Sequence, residues 1–174
     1  ALSNEAVNLA MKQAQQTYER KDLKNAAVAF EQVYRLSPRD TVFLYNAAVV
    51  AVENKDYNTA LKHYKELKDL GYDGAEVQYI ATNKQTNKEE SFPDKNQRDI
   101  MVKGGTHIKP RQEKTPSRRA DIIKNIAFIY VEQGKSDDAL KAFAEARKAY
   151  PKDANLILAE ANIYLQLDKK DEFK

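Results

Sequence analysis

The chain repeats itself with a period of 34 residues. A small residue recurs at one position of the unit and an aromatic residue recurs four positions later. The recurring pairs are Ala26 and Phe30, Ala60 and Tyr64, and Ala139 and Phe143. The first two pairs are 34 residues apart and the next gap is 79, which is 34 plus 45, so one further unit lengthened by 11 residues fits between them. Self-similarity at a fixed period of this length is the signature of a repeat architecture.

Other positions keep the same register and predict helix pairs. They are Ala14, Ala48, Ala127 and Ala161; Ala10, Leu44, Ile123 and Ile157; and Pro38 and Pro151. Apolar residues recur at helical spacing through most of the chain, which predicts amphipathic helices. Asp22, Asp40, Asp56 and Asp153 stand before such segments, where an aspartate side chain can accept from free amides of the first turn.

The third unit departs from this pattern. Ala75–Thr82 predicts a first helix, whereas residues 83–93 are polar, lack apolar periodicity and indicate a loop. Residues 94–102 predict a short second helix, and Gly104 and Gly105 predict its end because glycine accepts the positive φ of a helix C-terminus. A second loop is predicted over residues 106–114.

With its 34-residue spacing, fixed small residues and a proline near the unit's end, the chain resembles the tetratricopeptide repeat (TPR) family. The resemblance implies an all-α fold, a right-handed α-solenoid of helix-turn-helix repeats, with about 4.5 repeats and nine helices in a single domain over residues 1–174. The predicted repeats span residues 7–40, 41–74, 75–119 (irregular, with the insertion), 120–153 and 154–174 (truncated).

In the TPR family, the first helices line a concave groove in which extended or helical peptides bind. Carried over by register, the residues that would face this groove are mostly aromatic and aliphatic, with scattered amides. They are Met11, Gln15, Tyr18, Tyr45, Asn46, Val49, Val52, Tyr79, Asn83, Lys124, Asn125, Phe128, Val131, Leu158, Asn162 and Leu165. This composition favours a hydrophobic peptide or helix over a highly charged tail. The alternative is that many of these side chains form the core between repeats.

One TPR subclass grips a C-terminal carboxylate with lysines and asparagines. Asn46 matches one of those asparagines, but Met11 and Gln15 stand at the matching earlier lysine and asparagine sites. The resemblance therefore does not extend to that clamp.

The insertion carries a basic cluster. Between residues 103 and 119 the cations are Lys103, Lys109, Arg111, Lys114, Arg118 and Arg119, against the single anion Glu113. Such a cluster could attract a nucleic acid, an acidic glycan or an anionic surface, which makes anion recognition the alternative function. A nucleic acid is disfavoured because no aromatic residues for base stacking are interleaved with the cations. A solvated loop is the plain alternative.

Catalysis and cofactor binding find no support in the sequence. The chain has no cysteine, and therefore neither a disulfide nor a thiolate metal site. His63 and His107 fit no metal-ligand spacing, and no phosphate-binding glycine loop is present. No run reaches the roughly 18 apolar residues of a membrane span. We therefore expect no enzyme activity, no cofactor and no metal.

The sequence thus predicts a non-catalytic protein–protein interaction scaffold that binds a protein or peptide partner in the groove. Leu156 and Ile163 continue an apolar pattern on a last helix that has no partner helix, so we expect a fragment of a longer chain. Self-association through that exposed C-terminal helix is a further expectation. Richness in lysine, asparagine and tyrosine resembles bacterial TPR proteins and favours a cell-envelope or periplasmic location over the cytoplasm.

Overall fold

The computed structural model describes residues 4–166 and is mostly helical. Its eight helices are α1 (Asn4–Glu19), α2 (Leu23–Leu36), α3 (Val42–Glu53), α4 (Tyr57–Asp69), α5 (Lys95–Lys103), α6 (Arg119–Glu132), α7 (Ser136–Ala149) and α8 (Ala154–Gln166). Its three strands are β1 (Val77–Asn83), β2 (Glu89–Phe92) and β3 (His107–Lys114). The end of the predicted last repeat, residues 167–174, lies outside the described residues.

The chain divides into two compact units. The repeat unit joins Ala1–Tyr72 to Arg119–Lys174, and the insert unit is Asp73–Arg118. All helices except α5 belong to the repeat unit, while α5 and the three strands form the insert unit.

Within the repeat unit, each helix packs against the next one along the chain. The order of contact is α1 with α2, α2 with α3 and α3 with α4, and then α4 with α6, α6 with α7 and α7 with α8. Helix α6 therefore takes the place after α4 that the third predicted repeat was expected to fill. The succession of helix pairs resumes after the insert unit in the amino-acid sequence.

Alanines at the predicted helix crossings are fully buried. Those with no exposed surface are Ala14, Ala26, Ala48, Ala60, Ala127 and Ala139. A methyl group at these positions lets two helix axes approach closely, and larger side chains fill the neighbouring space. Tyr64 and Phe143 are buried beside them, as the repeat register predicts. The structural role assigned to these alanines is confirmed.

Three of the four predicted aspartate N-caps are also confirmed; Asp40 is the exception, because the N-cap position of α3 is Thr41, which makes no side-chain cap hydrogen bond. The side chain of Asp22 accepts a hydrogen bond from the backbone N–H of Asn25 at 3.3 Å, and that of Asp56 from Thr59 at 3.2 Å. Asp153 acts in the same way at the start of α8. Each carboxylate pairs with one of the amides that a first helical turn leaves without a partner.

The insert unit is a three-stranded antiparallel sheet with one helix packed on it. The strand order is β2-β1-β3, so β1 is central, and α5 contacts all three strands. Tyr79 of β1 lies opposite Phe92 of β2 and Gln112 of β3. The β1–β3 register shifts between Ile80 and Thr82.

Several predictions for the third unit are wrong. Ala75–Thr82 is not a helix, because most of it forms strand β1, and residues 106–114 are strand β3 rather than a loop. The end of the predicted loop over residues 83–93 forms β2. The short helix over residues 94–102 is confirmed as α5. Short apolar runs do not separate strand from helix by periodicity alone, and these strands are defined by pairing with distant residues. The described residues therefore hold eight helices where nine helices were predicted for the whole chain.

Candidate functional site

The predicted groove residues of the repeat unit form three rows on the first helices of the pairs, α1, α3, α6 and α8. The first row is Met11, Tyr45, Lys124 and Leu158; the second is Gln15, Val49, Phe128 and Asn162; the third is Tyr18, Val52, Val131 and Leu165. Spacings of three and four residues place the members from one helix on one side of it. We call these twelve residues the first-helix face.

Large apolar side chains of the first-helix face remain exposed on three of these helices. Met11 is 36% exposed, Phe128 38%, Leu158 63% and Leu165 51%. Single exposed apolar residues are common on protein surfaces. Here at least one such residue lies on the first-helix face of α1, of α6 and of α8, in different rows, as expected of a binding surface for an extended partner.

Tyr45 differs from its counterparts in the first row. Its side chain is only 8% exposed and packs against two other tyrosine rings. The ring centroids are 6.3 Å apart for Tyr45 and Tyr64, with an edge-to-face geometry, and 6.0 Å apart for Tyr45 and Tyr72. Tyr45 is therefore a core residue, as the alternative reading of the sequence allowed, and its neighbours Val49 and Val52 are half-buried.

Phe128 is an exposed aromatic residue held by a neighbour. Its ring meets that of Tyr57 edge-on, with centroids 6.1 Å apart. The Tyr57 hydroxyl donates to Glu132 Oε2 at 3.2 Å, which fixes the tyrosine ring in turn. Burial, reinforced by the Glu132 carboxylate, raises the pKa of Tyr57. A ring ordered before binding loses less conformational entropy when a partner docks on it.

Tyr18, near the end of α1, makes another hydrogen bond between a tyrosine and a glutamate. Its hydroxyl donates to the Glu53 carboxylate at 3.2 and 3.3 Å, and the charge of Glu53 raises the pKa of Tyr18. Glu53 and Glu132 occupy the same repeat position, and Glu19 precedes them in that register. All three are exposed. We call Glu19, Glu53 and Glu132 the acidic row; the sequence analysis missed it, although their spacing of 34 and 79 residues was visible.

Asn46 and Asn125 lie beside the first-helix face and are half-buried. The Asn125 side-chain amide donates to the Tyr64 hydroxyl at 2.9 Å, which joins α6 to α4. Burial of Tyr64 raises its pKa, so the hydroxyl keeps its proton. Lys124, next to Asn125, is paired with Asp121 of its own helix. These contacts give Asn125 a structural role between helices.

Tyr79 and Asn83 do not lie on a helix, because both belong to strand β1 of the insert unit. The guanidinium of Arg98 lies 5.6 Å from the Tyr79 ring centroid. The Asn83 amide donates to Glu90 Oε1 at 2.8 Å, and its oxygen accepts from the backbone N–H of Gln85. Both side chains hold the insert unit together.

Acidic partners occupy part of the basic cluster. Both terminal guanidinium nitrogens of Arg111 donate to the Glu89 carboxylate, and its Nε donates to Glu113 Oε1 at 2.8 Å. Lys114 pairs with Asp73 at 3.3 Å. The hydrogen bond from Arg111 lowers the pKa of Glu89, which keeps that carboxylate charged.

The remaining cations of the cluster are spread over different elements. Arg119 begins α6 in the repeat unit and donates to the Gly71 carbonyl at 3.1 Å. Lys103, Lys109 and Arg118 are exposed. Part of the cluster predicted to lie in a loop is instead on strand β3, where Arg111 and Lys114 are paired with carboxylates. The other cations lie before and after that strand.

His107 lies within a hydrogen-bonded chain that the sequence analysis did not predict. It is 2% exposed, and its Nε2 lies 2.9 Å from Glu90 Oε2. Its Nδ1 lies 2.9 Å from Thr106 Oγ1, and its ring meets Phe92 edge-on. Because Glu90 reaches His107 only through pairing of β1 with both neighbouring strands, no local pattern reveals the contact.

Among residues 4–166, no group of three or more histidine, aspartate or glutamate side chains is arranged to hold a metal ion. None of the helices in the same part of the chain is both long and apolar enough to cross a bilayer.

A tetratricopeptide repeat family model matches residues 126–172. No curated protein matches the chain significantly. The matched segment begins within α6 and continues past the described residues, and it includes the repeat motif at Ala139 and Phe143 that the period of the sequence defines.

Solved structures of TPR proteins resemble this one. A tetratricopeptide repeat protein from Parabacteroides merdae has a TM-score of 0.58 at 10% identity, over 99% of this chain and 50% of that one. The N-terminal domain of stress-induced protein-1 from C. elegans has a TM-score of 0.55 at 15% identity, over 92% and 98%. A thermophilic TPR protein from Thermus thermophilus has a TM-score of 0.50 at 17% identity, over 96% and 69%.

At these identities the likeness concerns the fold alone, and the chain spans half the length of the Parabacteroides merdae protein. Residues 126–172 thus match a TPR model, and the fold of the chain is similar to that of solved TPR proteins, interrupted by a small antiparallel sheet with one helix.

Proposed function

We propose that this chain is a non-catalytic scaffold that binds a peptide or a helix of a partner protein on the first-helix face. The observation that carries the proposal is the exposure of large apolar side chains on the first-helix face of α1, α6 and α8. Phe128 is the central anchor because Tyr57 orders its ring while 38% of the side chain stays exposed.

The acidic row supports a finer description of the partner. Glu19, Glu53 and Glu132 follow the apolar rows at the same end of successive first helices. Tyrosine hydroxyls donate hydrogen bonds to Glu53 and Glu132, so these two side chains lose less conformational entropy when a partner binds. A lysine or arginine next to an apolar side chain would therefore meet complementary charge. The partner we propose is an amphipathic segment with apolar anchors flanked by basic residues.

Panning a random peptide-display library against the immobilised chain tests this description. The proposal expects enriched peptides to combine apolar residues with lysine or arginine. Substitution of Glu53 and Glu132 by glutamine should reduce the enrichment of basic residues and leave the apolar ones. Enrichment of acidic peptides would contradict the assigned polarity of the partner.

Recognition of anions by the basic cluster is less well supported, because Arg111 and Lys114 already pair with carboxylates inside the insert unit. Salt distinguishes the two functions. Binding to a cluster of cations should weaken steeply between about 0.1 and 0.5 M salt, whereas binding through apolar anchors should persist.

A further inference from the structure

A cleft of about 420 Å³ opens within the repeat unit, between the end of α4, the first half of α6 and the second half of α7. Its walls are mostly apolar and include Tyr72, Ile122, Ile123, Ile126, Ala142 and Ala146. On the α7 side, successive alanines contribute only methyl groups, so side chains leave the space between α7 and α4 open. Ala149, the last residue of α7, continues this alanine wall and is exposed.

Three charged side chains lie around the rim of this apolar cleft. Lys68 Nζ of α4 lies 3.1 Å from Glu145 Oε2 of α7, and both side chains are more than half exposed. The guanidinium of Arg119 lies 5.9 Å from the centroid of the Tyr150 ring. Two cations and one carboxylate thus share the rim. An exposed ion pair such as Lys68–Glu145 contributes little to stability and can exchange partners at low cost.

We propose that this cleft binds a small monocarboxylate with an apolar body. The apolar body would pack on the isoleucines of α6 and the alanines of α7. The carboxylate would accept hydrogen bonds from Arg119 and Lys68, and on Lys68 it would take the place that Glu145 occupies. The volume lies in the range of about 300–1,000 Å³ that is typical of small-molecule sites.

The charges on the rim select a carboxylate over other polar groups. A ligand carboxylate meets two cations and competes with one carboxylate, so its charge is compensated. An ammonium group would meet one carboxylate and two like charges. An uncharged alcohol would gain the apolar contacts without the charge-assisted hydrogen bonds, which are the stronger kind. The site is separate from the first-helix face and does not depend on peptide binding there.

Octanoate is a suitable probe, with octylamine and octan-1-ol as matched ligands of the same chain length. Each is titrated into the isotopically labelled chain while the backbone amide signals are followed by NMR. We expect saturable shifts from octanoate that are concentrated in residues 119–126 and 142–150. Octylamine and octan-1-ol should bind at least about 5-fold more weakly.

Substitutions at the rim should act in opposite directions. Arg119→Gln and Lys68→Gln should each weaken octanoate binding by about 3-fold to 10-fold, because each removes a charge-assisted contact. Glu145→Gln should tighten binding, because it removes the competing carboxylate. A merely structural role of the ion pair would not produce this reversal. Lys141→Gln removes an exposed cation from α7 outside the cleft and should leave the affinity unchanged.

Filling the cleft provides a second test that spares the core. Ala149→Phe places a ring at the exposed end of the alanine wall and should abolish octanoate binding while melting temperature is retained. Ala144→Phe adds the same ring to another part of α7, at a position that is also exposed, and should have no effect on binding.

Four results would overturn the proposal. The first three are the absence of saturable octanoate binding, octylamine or octan-1-ol binding as tightly as octanoate, and weaker octanoate binding by Glu145→Gln. The fourth is octanoate shifts that survive Ala149→Phe, which would place the ligand elsewhere.

Discussion

Phe128 packs edge-on against Tyr57, with ring centroids 6.1 Å apart, and still leaves 38% of its side chain exposed. The contact joins the first helix of one pair to the second helix of the pair before it. The Phe128 side chain therefore has two roles. It packs at the interface between helix pairs, and its exposed part can contact a partner. Its substitution should therefore affect binding more than stability.

Ala60 tests the requirement for small residues where helices cross. It has no exposed surface, and Ala60→Leu should destabilise the chain by about 1–3 kcal/mol because the added side chain overpacks the crossing. Urea unfolding measures the change. Ala144→Leu adds the same volume at an exposed position of α7 and is the control. An equal, small effect of both substitutions would argue against close packing at Ala60.

Asp56 tests the N-cap of α4. Asp56→Ala should cost about 1 kcal/mol, because the backbone N–H of Thr59 loses its acceptor. Asp56→Asn keeps an oxygen acceptor and should retain most of the stability. The two unfolding curves, compared with that of the unaltered chain, provide the measurement. Equal losses for Ala and Asn would show that the charge, and not the hydrogen bond, stabilises this helix start.

The buried alanine and the aspartate N-cap also show which features can be predicted from the sequence alone. Spacing defined the helix pairs, their buried alanines and the aspartate caps, because all of these depend on residues close together in the chain. The strands were not predicted because they pair residues that are far apart in the chain, such as Val77 and Lys114. Tyr45 was assigned to the binding face by register, but Tyr72 covers it from a segment where the repeat consensus is lost.

His63 should make stability depend on pH. Its side chain is 1% exposed, and neither ring nitrogen has a hydrogen-bond partner. Burial lowers the pKa of His63 below its ordinary 6.5 and outweighs the nearby Glu31 carboxylate, 3.5 Å from Nε2. Between the lowered pKa and 6.5 the unfolded chain binds more protons, so stability should rise with pH there and fall as the solution is acidified.

The control for this prediction is His63→Phe, which retains a ring of similar shape without a titratable group. Unfolding is followed at a series of pH values between about 5 and 7.5. The difference in stability between the two chains should change with pH below 6.5 and become constant above it. Parallel pH profiles for the two chains would rule out His63 as the source.

The Glu90–His107 contact should stabilise the insert unit above acidic pH. Hydrogen bonds from His107 and Asn83 lower the pKa of Glu90, so this contribution is present above its ordinary 4.5 and is lost as the pH falls through the lowered value. Glu90→Gln should speed hydrogen exchange of amides in β1 and β3 at neutral pH. Ser91→Ala changes an exposed neighbour on β2 and is the control. Unchanged exchange in Glu90→Gln would contradict the assigned role.

The affinity of Phe128→Ala for a selected peptide tests the central claim most directly. Calorimetry on the unaltered chain, Phe128→Ala and Val28→Ala compares the anchor with an apolar residue that is 50% exposed on α2, outside the first-helix face. We predict at least about a 10-fold loss of affinity for Phe128→Ala and no change for Val28→Ala. Equal affinity of all three chains would contradict peptide binding on the first-helix face.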